Sequence, residues 1–166
     1  MIGRVVKVLA ISTLVASFGV WAYAFSGQAD RDPPDLLQDQ SWSEAAETIC
    51  ADAVSDVATL PSALDAPDPE QRSEQVLATT DRYQAMVDQL ALLEATSEFD
   101  RDLTAAWIDD WRLLLDDRRR YAAAVVEDPA AFFTISAVGP GIRLDRRITR
   151  LATVNGMPSC STPTDV

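Results

Sequence analysis

The chain contains no histidine. That absence removes the commonest general base, the commonest metal ligand and the usual physiological pH switch. Ser-His-Asp and Cys-His nucleophile systems are excluded outright. Lysine is almost missing as well: Lys7 is the single lysine among 14 basic residues, the others being arginine. The six glycines form no phosphate-cradling loop, because Gly139-Pro140-Gly141 matches neither glycine-rich pattern. No segment reads as a strand, and no set of side chains falls at metal-ligand spacing. The reading therefore assigns no catalytic residue, no cofactor and no metal.

What is present begins with a charge-free apolar run, Val8 to Phe25. Arg4 and Lys7 precede it, and Asp30 and Asp32 follow the short exit Ser26-Gly27-Gln28. A membrane span needs about 20 mostly apolar residues, and a positive flank stays on the cytoplasmic side. Residues 1–27 therefore read as a signal anchor that contacts the cell membrane through residues 5–25. The N-terminus lies in the cytoplasm and the rest of the chain outside it. A cleaved secretory signal is the competing reading, since Ala22-Tyr23-Ala24 has the small-x-small form of a cleavage site. Trp21, Tyr23 and Phe25 favour retention, because aromatic side chains collect at the lipid–water boundary. No cysteine lies near the end of the run, which excludes lipoprotein processing, and the isolated Arg4 is no twin-arginine signal.

All 26 acidic residues follow this run, whereas Arg4 and Lys7, two of the 14 basic ones, precede it. The exterior part is left with a net charge of −14. Such a balance argues against nucleic acid, whose phosphates demand basic patches, and against anionic lipid headgroups. The two cysteines, Cys50 and Cys160, both fall in the part expected to face an oxidising exterior. A pair there is expected to bond, the alternatives being two buried thiols or a link between chains.

Residues 28–40 are polar, and Pro33-Pro34 favours extended backbone, which describes a short stalk. Residues 41–166 then read as a helical domain. Ser41 and Glu44 have capping-box spacing, followed by an apolar stripe through Trp42, Ala46, Ile49, Ala53, Val57, Leu60 and Leu64 that breaks near Pro61. Asp68-Pro69-Glu70-Gln71 starts a second helix, whose stripe is Val76, Thr80, Tyr83, Val87 and Leu90, broadened by Leu77, Met86 and Leu93. A turn is expected at 96–100, with Ser97 or Asp100 capping a third helix through Leu103, Trp107, Trp111, Leu114, Tyr121 and Val125. That helix should end near Glu127. Asp128-Pro129 then predicts a short helix carrying Phe132 and Phe133. A last helix runs from Ile142 to Val154, stopped by Asn155-Gly156. The expected fold is all-α: an antiparallel bundle of three long helices plus a shorter C-terminal one, preceded by one transmembrane helix.

Chemistry rests on carboxylates and one arginine. Asp109-Asp110 and Asp116-Asp117 recur seven residues apart, but neighbours on a helix diverge by about 100°, so neither pair makes a compact site. Their plainest reading is a solvated face with ion pairs to Arg118, Arg119 and Arg120. Arg118, however, falls within the apolar stripe, four residues after Leu114 and three before Tyr121. A guanidinium there needs a partner, because an unpaired buried charge is prohibitive. The candidate buried ion pair or ligand site is therefore Arg118 with Asp110, Asp117 and Tyr121. Trp107 and Trp111 read as core rather than as a ligand cage. Phe132 and Phe133 form a candidate contact patch, or else a plug at the end of the bundle.

Several of these elements together resemble a group of actinobacterial membrane-anchored helical proteins of the extracytoplasmic space. They are the anchor ending in Trp21-Ala22-Tyr23, the Pro33-Pro34-Asp35 stalk, Cys50, Asp110-Trp111, Asp117-Arg118 with Tyr121, and the tail Asn155-Gly156-Met157-Pro158-Ser159-Cys160 with Pro163 and Asp165-Val166. The tail is the most specific part. The resemblance implies an anchored helical domain closed by its two cysteines and carries no activity with it. The expected function is a binding or scaffolding module for an envelope protein partner. The alternatives are an enzyme or small-ligand domain built on carboxylates and Arg118, and a cleaved, freely secreted protein.

Overall fold

The structure, a computed structural model, describes residues 2–25, 33–139 and 141–166, with the side chains of residues 2, 4, 5, 7–11 and 24 outside the described set. The expected exit and the first part of the stalk, 26–32, also lie outside the described residues, as does Pro140 of the glycine loop. The chain divides into two compact units, Met1–Pro34 and Asp35–Val166.

The first unit holds helix α1, Ile2–Phe25. Its 24 residues span about 36 Å at 1.5 Å per residue. Leu14, Val15, Phe18, Val20 and Trp21 are all exposed, and the rings of Trp21 and Phe25 stack at 5.3 Å. Among the described residues no helix is long and apolar enough to cross a membrane. Val8, Leu9, Ala10 and Ile11 of the expected span are among the residues whose side chains lie outside the described set.

The second unit is mostly helical. It comprises α2 (Gln40–Val57), α3 (Pro69–Leu90), α4 (Glu98–Glu127), strands β1 (Ala137–Gly139) and β2 (Ile142–Arg143), and α5 (Leu144–Val154), with 3₁₀ turns at Ala63–Asp65 and Pro158–Cys160. Helices α3 and α4 pack along each other, α2 lies on α3, and α5 lies on α4. The two strands pair antiparallel, which corrects the expectation that the domain has none. Gly141, with φ of +74°, makes the left-handed turn that brings them together.

Local chemistry explains each helix start. The side chain of Asp39 accepts hydrogen bonds from the backbone N–H groups of Ser41 and Trp42 and so caps α2. Ser41 therefore sits inside the first turn, and its hydroxyl donates to Asp39, so the Ser41–Glu44 capping box does not form. Helix α2 ends at Val57, and Leu64 of the expected stripe is exposed. Asp68 caps α3 and Pro69 occupies its first turn, as the spacing predicts. Ser97 caps α4 by accepting from Asp100 N at 2.9 Å. After Glu127 the expected short helix is absent. Asp128 accepts instead from Ala130 N through its side chain and from Ala131 N through its carbonyl, which closes a turn.

The core is built around three indoles. Trp107 meets Trp42 and Trp111 edge-on, with ring centroids 6.1 and 6.3 Å apart. Met86, Val87, Leu90, Leu115, Ile148 and Met157 close around them. Trp107 donates its N–H to the carbonyl of Ile148 at 3.1 Å. The indole N–H groups of Trp42 and Trp111 have no protein partner, at a cost of about 1–3 kcal/mol each.

The folded unit also takes in what reads as stalk. Leu37 is 2% exposed and belongs to the core. Asn155 accepts from Leu37 N at 2.7 Å and donates to the carbonyl of Asp35 at 2.8 Å. The fully buried carboxylate of Asp100 accepts from Gln38 N and Asp39 N, both at 3.0 Å, while Asp39 in turn accepts from Thr96 N. The domain thus starts at Asp35, earlier than the expected boundary at 41.

Helix α5 ends in a complete Schellman motif. Met157 N donates to Ala152 O at 2.8 Å and Gly156 N to Thr153 O, with Gly156 at φ of +69°. The reversal delivers Cys160 to Cys50 of α2, where the disulfide forms with a Cα–Cα distance of 5.1 Å across 110 residues of sequence. Glu47 of α2 secures the same turn by accepting from Ser159 N at 3.0 Å and from its hydroxyl at 2.7 Å.

Two outcomes follow. Closing so long a loop stabilises by roughly 4–5 kcal/mol in the chain-entropy model, so Cys160→Ser should lower the unfolding midpoint by about 10 °C or more in a thermal melt. Gly156→Ala should cost about 1–2 kcal/mol in denaturant titration. An added Cβ meets nothing within 4 Å there, so the cost is that of the left-handed backbone alone.

Candidate functional site

Arg118 lies on the face of α4 that packs against α3, and it is only 1% exposed. Its guanidinium is held on three sides. Nε donates to Thr80 Oγ1 at 2.9 Å, and Nη2 donates to Thr79 Oγ1 at 2.6 Å. The fork of Nη1 and Nη2 grips the carboxylate of Asp165 at 2.7 and 2.8 Å. Two parallel charge-assisted bonds of this kind fix orientation as well as charge. The cation also lies 5.4 Å from the ring centroid of Tyr83.

The threonines are suited to this task by their position on α3. Each hydroxyl donates its one hydrogen to the carbonyl of Val76, at 3.1 Å from Thr79 and 2.6 Å from Thr80. Their oxygens are thereby left facing the guanidinium as acceptors. Thr80 occupies a stripe position that would otherwise be apolar, and this is the trace in the sequence of a polar partner for Arg118.

The surrounding electrostatics follow from burial and from the ion pair. Burial alone would raise the pKa of Asp165, but the hydrogen bonds and charge of Arg118 outweigh it and hold the carboxyl below its ordinary value. Tyr83 is pushed up to about 12, first by burial and then by the negative charge of Asp165, with Arg118 opposing. Tyr83 and Asp165 also line an open cleft of about 650 Å³, whose other walls include Val54 of α2 and the tail residues Ser159, Ser161, Thr162 and Thr164.

The other residues expected to join Arg118 are placed elsewhere. Asp110 is buried and pairs with Arg147 of α5. Asp117 is buried too, accepting from Ser136 N at 2.7 Å, from the Ser136 hydroxyl at 2.8 Å and from Arg120. Tyr121 belongs to a separate apolar cluster with Ala63, Val76, Ala122 and Val125, and its ring lies 5.7 Å from that of Phe133. The solvated-face reading of the acids holds only for Asp109 and Asp116, which are exposed and pair with Arg112 and Arg119. Divergence by about 100° along the helix sends the second member of each pair inward, where a basic or hydroxyl partner receives it.

The candidate contact patch divides in the same way. Phe132 is 89% exposed, whereas Phe133 packs partly buried against both apolar clusters. Among the described residues no group of His, Cys, Asp or Glu is arranged to hold a metal ion. The sequence reading missed Thr79 and Asp165 at the site itself. Asp165 stands in an irregular tail where no periodicity points inward.

Comparison with protein-family models, with curated proteins and with solved structures gives no match. The geometry of the Arg118 recess supplies its own tests. Arg118→Met should cost little, because the apolar side chain fills the same space and the Asp165 carboxylate, 25% exposed on an irregular tail, can turn into water. Asp165→Ala should cost about 2–3 kcal/mol in chemical denaturation, since it strands the guanidinium. The lowered pKa of Asp165 fixes the sign of the pH effect. Its contribution is fully present above the ordinary carboxylate range and is lost as pH falls through its lowered folded-state value. Acid unfolding of Arg118→Met should lack that component.

Proposed function

We propose that this chain is a membrane-tethered, disulfide-closed helical binding module that works outside the cytoplasm. The observation carrying the reading is the organisation of the Arg118 recess: a buried guanidinium gripping one carboxylate beside an open cleft. An enzyme built on Arg118 would need at least two acids converging with it on accessible space. Asp110 and Asp117 face Arg147 and Ser136 instead. The carboxylate that does reach Arg118 neutralises it and stands with a pKa below the ordinary value, unsuited to general-acid work.

Three further features support the compartment, the tether and the partner class in turn. The Cys50–Cys160 bridge is of the kind kept in oxidising compartments. The charge-free apolar run Val8 to Phe25 is close to the length of a span, and Arg4 and Lys7 precede it. The strongly acidic exterior disfavours nucleic acid and anionic lipid, leaving an envelope protein as the partner class.

Cell fractionation tests the tether. Full-length protein should pellet with membranes and be released by detergent but not by high salt. A mature chain that begins at Phe25 and appears in the soluble exterior fraction would contradict it.

A further inference from the structure

The last residues of the chain form a strap fastened at two points. Cys160 is bonded to Cys50 at one end, and Asp165 sits in the fork of Arg118 at the other. Between them Ser161–Thr164 have no regular secondary structure and border the cleft of about 650 Å³. Among the described residues, no backbone–backbone hydrogen bond ties residues 162–166 to a helix. Thr162 meets the hydroxyl of Thr149, through its N–H at 3.3 Å and its own hydroxyl at 3.0 Å. Val166 packs partly buried on the apolar cluster of Ala63, Val76, Tyr121, Ala122 and Val125.

This is the layout of a peptide bound in a groove. One carboxylate enters a bidentate fork, the next side chain packs on an apolar cluster, and the preceding backbone has no regular secondary structure and is free of the sheet or helix ladders. The groups that surround the carboxylate come from outside the strap. Thr79 and Thr80 are positioned by Val76, Arg118 by α4, and Tyr83 by its packing on Trp111 at 6.1 Å. The tail supplies the carboxylate and most of the lining of the adjoining cleft, including Ser161, Thr162, Pro163 and Thr164.

We propose that the Arg118 recess is a binding site for a peptide carboxylate, filled in the resting chain by Asp165 acting as a ligand in cis. The proposal rests on the binding-module reading and names its partner class: an extended protein segment presenting one acidic residue followed by an aliphatic one. A single carboxylate is specified because the exterior part carries a net charge of −14 and would repel an acidic run. The aliphatic residue is specified by where Val166 packs. A short tethered segment acts at an effective concentration in the millimolar range, so the strap competes with any partner. For an intrinsic dissociation constant of roughly 10 μM, that competition weakens the partner's apparent affinity about a hundredfold. Binding would therefore be an exchange of one carboxylate for another, with the hinge at the disulfide.

The test uses the full chain in detergent and a fluorescein-labelled peptide with the sequence of residues 161–166. By fluorescence anisotropy, Asp165→Asn and a chain ending at Pro163 should each bind the peptide at least about tenfold more tightly than the unaltered chain. Arg118→Met introduced into either variant should abolish that gain, as should replacing the peptide's aspartate by asparagine. Near-ultraviolet circular dichroism of the indoles establishes that each variant is folded. A folded Asp165→Asn chain and a folded shortened chain that both bind no more tightly than the parent would overturn the site, as would binding that survives loss of Arg118. If those variants ignore the peptide while an envelope protein still crosslinks to them, this site fails and the broader binding reading stands.

Discussion

A guanidinium inside a helical domain is costly without an opposite charge, and Arg118 draws the C-terminal tail across the bundle to meet that need. Stranding such a charge costs several kcal/mol, so the position of Asp165 is dictated from within α4. That requirement propagates backwards. The tail can reach Arg118 because Cys160 is fixed on α2, and Cys160 is fixed there because the Schellman turn at Gly156 reverses the chain after α5. Asn155, at the same turn, reaches the other way and holds the backbone of Asp35 and Leu37. One short C-terminal stretch thus gathers the beginning, the middle and the end of the domain.

The same arrangement separates two kinds of strength. The indole core, the disulfide and the Asp100 carboxylate are buried or covalent, and none of them is bonded to Asp165 or Val166. The strap depends on a half-buried carboxylate, a pair of threonine contacts and one aliphatic residue. A domain built in this way can lose its outermost contact without losing its core, because local openings draw on the least buried elements. This difference is what allows a structural ion pair to serve also as a binding site.

Much of the scaffold was legible in the sequence, and the reasons are specific. Asp68-Pro69 and Ser97 are strong start signals, Asn155-Gly156 is a strong stop, and two cysteines beyond an apolar N-terminal run leave one natural pairing. Arg118 declared itself by interrupting an apolar stripe. What was not legible depends on long-range contact. The partner of Arg118 lies 47 residues away in an irregular tail, and Asp100 and Asn155 reach segments 62 and 120 residues distant. Periodicity reports which face of an element turns inward but not what meets it there. The helix expected around Phe132 and Phe133 failed for a related reason. Asp128-Pro129 has the same local form as Asp68-Pro69, yet the chain beyond it is pulled straight by Ser136, which is bonded to Asp117.

The most direct measurement is an NMR titration of the Asp165 carboxyl in the full chain, followed together with the backbone signals of residues 162–166 and the indole signals of Trp107 and Trp111. The Asp165 carboxyl should titrate below the ordinary aspartate value. The tail signals should move with it while the indole signals stay in place, showing that the strap leaves Arg118 with the core intact. A tail that shifts only when the indoles shift too would mean that the strap is inseparable from the fold, and would contradict its role as a displaceable ligand.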